Sequence, residues 1–140
     1  AVLVMSRQKA DALGLEPLAR IVASAVSGNQ PEIMGVAPID AIPKALAQAG
    51  MKIGDIDVVE LNEAFAAQVL PVCRETGIDI DTQLNPHGGA IALGHPFGMT
   101  GARIMTTLIN DLQTLDKTYG METMCAAGGM AMAMIIERLS

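Results

Sequence analysis

The sequence predicts a layered α/β domain: a mixed, mainly parallel five-stranded sheet with helices on both faces. Short apolar runs rich in β-branched residues alternate with segments of helical periodicity, in the order β-α-β-α-β-α-loop-α-β-β. The strands are too apolar to leave one face in water, so both faces need a covering layer. Gly, Asn and Ser turn signals separate the segments, and no repeat or linker divides the chain.

Ala1–Met5 reads as a buried strand entered without a leader. Ser6 can cap a short helix that carries Ala10 and Leu13 and stops at Gly14. Ala19–Val26 is the second strand, ended by Ser27-Gly28-Asn29. From Pro38 to Ala49, Ile39, Ile42, Leu46 and Ala49 recur at helical spacing, and Gly50 supplies the stop. Pro43 is tolerable there if it falls in the first turn, where its missing N–H has no partner to lose. Ile56–Leu61 is the third strand. Asn62-Glu63-Ala64-Phe65 follows it and opens a helix through Ala66, Val69 and Leu70, which Pro71 kinks or ends near Cys73. Ile104, Met105, Leu108, Ile109, Leu112 and Leu115 draw one apolar stripe on a further helix. Glu122–Ala126 and Met130–Glu137 are the last strands, joined by a tight turn at Gly128-Gly129. The final strand alternates Met130, Met132, Met134 and Ile136 against Ala131, Ala133 and Ile135.

The 140 residues fit one domain with a real core, and 51% of them are hydrophobic. A net charge of −6 and only Phe65, Phe97 and Tyr119 as aromatics exclude a nucleic-acid binder. No apolar run is long enough to span a bilayer. Cys73 and Cys125 form neither a disulfide framework nor a metal spacing, so the expected setting is reducing and cytoplasmic, with no bound metal. There is no G-x-G-x-x-G after a strand and no Gly-Lys-Ser/Thr, which leaves nucleotide binding without a motif.

The candidate chemistry gathers around Asn85-Pro86-His87-Gly88-Gly89-Ala90-Ile91-Ala92-Leu93-Gly94-His95-Pro96-Phe97-Gly98. Its four glycines and the proline after His95 hold an imidazole on irregular backbone just ahead of a periodic helix. His95 is therefore the first catalytic candidate, because an imidazole exchanges protons near neutral pH and can donate to an oxyanion. His87 is a loop residue in support. After Cys125 the chain leaves the strand within two residues and turns at Gly128-Gly129, where substrate could reach the thiol. A small core residue and an activated thiol both fit it from spacing alone. Cys73 keeps helical spacing with Ala66, Val69 and Leu70 and belongs to the core. Asn62 is a good helix N-cap, and equally an amide able to hold a water or an oxyanion.

Taken together, Asn62-Glu63-Ala64-Phe65, Gly88 to Pro96, and Cys125-Ala126-Ala127-Gly128-Gly129 resemble the NEAF, GHP and CxG blocks of the thiolase family, in the same order. The resemblance runs over essentially the whole chain as a C-terminal-type domain, residues 1–140, and the glycine–GHP block is its most specific part. Ketoacyl synthases share the fold but place His or Asn where Cys125 stands, which favours a thiolase. The resemblance implies cleavage of 3-ketoacyl-CoA by CoA, or the reverse condensation of two acyl-CoA molecules. The CoA thioester is then the substrate, and no separate cofactor is needed. It implies that His95 activates a nucleophilic cysteine and binds the thioester oxygen, that Asn62 holds a water in that oxyanion site, and that Cys125 is the acid/base. Phe65 and Phe97 would shape the acyl pocket, and the family implies a homo-oligomer.

Two departures stand out. Ala127 replaces the second glycine of CxG, so a backbone donor survives there unless the site needs a positive φ. The nucleophile's own sequence context is absent, so the resemblance implies an N-terminal half supplied in cis or as another chain. Two other readings stay open. A self-sufficient Cys125/His95 hydrolase would become acylated on Cys125, and a non-catalytic assembly partner would not respond to loss of His95.

Overall fold

The computed structural model describes residues 1–140. Five helices, α1 (Arg7–Leu13), α2 (Pro38–Ala49), α3 (Ala66–Thr76), α4 (Ala90–Leu93) and α5 (Thr100–Thr114), accompany four strands, β1 (Ala19–Gly28), β2 (Val58–Leu61), β3 (Tyr119–Ala126) and β4 (Met130–Arg138). The sheet order is β1-β4-β3-β2. β2 and β3 run parallel, whereas β4 is antiparallel to both β1 and β3.

Helices cover both faces, as the apolar strands required. On one face α2 and α3 pack on Ala25, Val59, Leu61, Met121, Ala131, Ala133 and Ile135. On the other, Met105, Leu108 and Leu112 of α5 pack on Val58 and Ile136. The alternation read in β4 is thus real: its alanines and Ile135 face the larger core, while Met134 and Ile136 face α5. Gly120 lets α5 come close, since a Cβ there would lie 2.6 Å from Leu108 Cδ1.

Two expectations about the sheet are corrected. It has four strands rather than five, because Ala1–Met5 is irregular and lines a cavity of about 930 Å³ beside α5. β-branched composition favours extended backbone, but a strand also needs a neighbour for its N–H and C=O groups, and this segment has none. The sheet is mixed but not mainly parallel, because β4 sits between β1 and β3. Burial on both faces makes strands uniformly apolar whatever their direction, so composition could not decide this.

The helix boundaries agree closely with the chemistry of their ends. Ser6 Oγ accepts the Lys9 N–H, and Gly14, Gly50 and Gly77 close their helices in the left-handed region. Pro43 lies in the second turn of α2, not the first. It is exposed, and it has no N–H to give the Ile39 carbonyl. Pro71 likewise sits inside α3, which continues past Cys73 to Thr76. No helix is long and apolar enough to cross a membrane.

Candidate active site

The C-terminal end of β2 organises the site. Gln83–Asn85 runs along the outer edge of β2: the Val59 N–H donates to the Gln83 carbonyl, and the Asn85 N–H to the Val59 carbonyl, both at 2.9 Å. The buried Asn85 amide then copies a strand, accepting from the Leu61 N–H and donating to the Leu61 carbonyl, each at 3.0 Å. This requires φ +41° at Asn85, a left-handed conformation that asparagine tolerates better than most residues. The glycine-rich loop therefore starts on the strand that ends in Asn62.

Glu63 holds the far side of the loop. Its two carboxylate oxygens accept from Asn85 Nδ2 at 2.7 Å and from the Ile91 N–H at 3.0 Å, at the start of α4. Gly89 must be glycine here because a Cβ would collide with the Glu63 carboxyl. Gly94, at φ +95° and ψ 164°, turns the chain back in a region essentially reserved for glycine. His95 follows.

Asn62 is fully buried and donates no cap, since α3 begins at Ala66 with Phe65 as its N-cap. Its backbone N–H donates to the Thr123 carbonyl of β3 at 2.9 Å, while its Nδ2 lies 3.2 Å from His95 Nε2. On the other side of the ring, His95 Nδ1 lies 2.7 Å from Thr100 Oγ1, in the first turn of α5. The Phe97 ring meets the imidazole edge to face, with centroids 4.9 Å apart. Phe97 is otherwise exposed, as is Phe65.

Cys125 stands two residues beyond Thr123, at the same end of the sheet, and is 7% exposed. Burial pushes its thiol up from the ordinary range. Both ring nitrogens of His95 are engaged by Asn62 and Thr100, and neither by Cys125. Cys73 is a core residue, 1% exposed among α2, α3 and the sheet. Ala127 lies in the exposed β3–β4 turn, where Gly128 and Gly129, not Ala127, take positive φ. Its N–H is absent from the backbone bonds of the turn and is free to donate.

Behind the loop lies a charged layer. His87 Nδ1 lies 2.6 Å from Asp111 Oδ1 on α5, so this histidine ties the loop to the helix. Arg103 Nη1 donates to Glu60 Oε2 at 3.1 Å, with Glu60 fully buried on β2. Burial holds the Glu60 carboxyl up at about 8; it outweighs the Arg103 attraction, and nearby Asp111 adds to it. Sequence reasoning passed over Glu60, Asn85, Thr100 and Asp111. Glu60 and Asp111 did leave a signal, as single charges inside an apolar strand and an apolar helical stripe.

The arrangement is a layered α/β domain that presents an amide–imidazole–hydroxyl chain on a glycine-rich loop, beside a buried thiol at the sheet end. Such a set can move a proton and stabilise a developing oxyanion. The family model for the thiolase C-terminal domain matches residues 15–138, and the chain belongs to that family. It is 53% identical over 141 residues to a 3-ketoacyl-CoA thiolase of Chromohalobacter salexigens, covering 99% of this chain and 36% of that protein. It is 51% identical over 138 residues to an acetyl-CoA acetyltransferase of Chromobacterium violaceum, covering 99% of this chain and 35% of that one. The crystal structure of human mitochondrial 3-ketoacyl-CoA thiolase superposes with a TM-score of 0.92 at 44% identity, covering 96% of this chain and 34% of that one. The chain thus spans about a third of the length of these relatives.

Proposed function

We propose that this chain is the C-terminal part of an acyl-CoA acyltransferase that cleaves 3-ketoacyl-CoA with CoA, or condenses two acyl-CoA molecules in reverse. The observation that carries the reading is the Asn62–His95 pair at the end of β2, beside the Cys125 strand end. The nucleophilic cysteine comes from the remainder of the protein, in cis or as another chain. His95 Nε2 takes that thiol's proton. The thiolate attacks the 3-keto carbon, and the charge developing on the oxygen is met by the imidazolium and by a water that Asn62 holds. The bond between C2 and C3 then breaks, its electron pair passes to the enolate of the departing thioester, and Cys125 supplies the proton to C2. The Ala127 N–H serves the enolate oxygen. Cys125 recovers its proton from the incoming CoA thiol, whose thiolate takes the acyl group and expels the nucleophile as a thiolate that regains its proton from His95. Phe65 and Phe97 border the acyl chain. No further cofactor enters, and the assembled enzyme is a homo-oligomer.

A thiol kept protonated by burial suits the acid role of Cys125 better than that of a nucleophile. His95 makes its hydrogen bonds to Asn62 and Thr100 and none to Cys125, which favours the acid role over that of an activated thiol. The test is peptide mass analysis of the whole protein after exposure to acetoacetyl-CoA. The expected acetyl adduct lies on a cysteine outside these 140 residues and disappears in His95→Ala, with Cys125 unmodified. An adduct on Cys125 would make the chain a cysteine hydrolase. An adduct and turnover indifferent to His95→Ala would make it an assembly partner.

A further inference from the structure

The proton on His95 can be placed from its two neighbours. An amide nitrogen only donates, so Nε2, facing Asn62 Nδ2 at 3.2 Å, must be the bare acceptor. The other end agrees with this. Thr100 has one hydroxyl proton, and Oγ1 sends it to the Pro96 carbonyl at 3.0 Å, the back-bond open to threonine in the first turn of a helix. Oγ1 therefore has only lone pairs to offer His95 Nδ1 at 2.7 Å, which makes Nδ1 the protonated nitrogen. Thr100 is 1% exposed, so water does not compete for this contact. The same Pro96 carbonyl also accepts the Met99 and Thr100 N–H groups at 2.9 and 3.1 Å, which fixes its position.

We propose that Thr100 is a positioning residue that locks His95 in the Nδ1–H tautomer, through a directed chain from the Asn62 amide to the imidazole to the Thr100 hydroxyl to the Pro96 carbonyl. The lock keeps Nε2 unprotonated, as a base must be. Its role in turnover rests on the function proposed above; the tautomer itself does not.

The experiment is long-range proton–nitrogen NMR of the chain with ¹⁵N-labelled histidine, at a pH where the imidazole is neutral. The chain has two histidines, and His87→Gln assigns the signals. The expected His95 pattern is a protonated Nδ1 and a bare Nε2, retained in Thr100→Ser and replaced by a mixture of tautomers in Thr100→Val. A wild-type Nε2–H imidazole, with the amide and hydroxyl both reversed, would overturn the proposal. So would a folded Thr100→Val whose spectrum matches wild type. If valine prevents folding, the wild-type and Thr100→Ser spectra still decide. In the whole enzyme, Thr100→Val should lower kcat by about tenfold or more at little changed KM, with Thr100→Ser restoring it, as expected when the wrong tautomer fills a general-base site. A locked Nδ1–H imidazole in an enzyme without acyl transfer would sink the proposed function and leave the positioning role intact.

Discussion

Gly89 offers a double-mutant cycle on the clamp that shapes the site. Its backbone, at φ −113° and ψ −158°, is open to any L-residue, so alanine meets no conformational objection. Relieved of everything else, Gly→Ala at such a position stabilises by about 0.4–1 kcal/mol through the unfolded state. The obstacle is the Glu63 carboxyl, whose Oε2 would lie 2.6 Å from the new Cβ. Its two oxygens are tied to Asn85 Nδ2 and the Ile91 N–H, so it cannot move aside without losing both bonds. Hydrogen bonds to a charged group contribute about 1.5–3 kcal/mol each when dry, and less at the half-buried Glu63. Evicting the carboxylate therefore costs about 2–3 kcal/mol, and Gly89→Ala should destabilise the chain by about 2 kcal/mol net of the entropic gain. Glu63→Ala should cost a similar amount. In the Glu63→Ala background the sign reverses: Gly89→Ala becomes neutral or stabilising by up to about 1 kcal/mol. The assay is urea unfolding followed by circular dichroism on all four proteins, with Ile91 amide exchange as a local reporter. An equal cost of Gly89→Ala in both backgrounds would refute the clamp.

Two further outcomes are expected. Burial raises the Glu122 carboxyl from 4.5 to about 7, so between those pH values the native state holds a proton that the unfolded chain has released. Stability from this group therefore falls as pH rises, by about 3 kcal/mol over the window. The stability difference between Glu122→Gln and wild type should widen by that amount, in the variant's favour, from pH 4.5 to pH 7.5; parallel urea profiles would contradict the assignment. In the β3–β4 turn, Gly128 and Gly129 share φ near +85°, at +87° and +84°, but not their surroundings. Gly128→Ala has nothing nearer than Met130 Cε at 4.0 Å and should cost about 1–2 kcal/mol for its backbone alone. Gly129→Ala drives a Cβ into the Asn29 backbone carbonyl and should cost about 2 kcal/mol more. Equal thermal shifts would remove that contact as the reason for the second glycine.

Local chemistry was readable before the structure. Ser6, Gly14 and Gly50 end helices by side-chain or left-handed capping, which needs only neighbouring residues. The alternation of β4 assigned its two faces, and the blocks around Asn62, His95 and Cys125 named the candidate groups before any of them had a position. Tertiary structure decided the rest, because periodicity says which face a residue takes and not which neighbour it meets. It set the antiparallel place of β4 and left Ala1–Met5 without a partner. Asn62, open in sequence between helix cap and functional amide, became the partner of an imidazole 33 positions away. Asn85, Thr100 and Asp111 gained their roles the same way, through hydrogen bonds to Leu61, His95 and His87. A buried polar group must find a partner, and the fold determines which one lies within 3 Å.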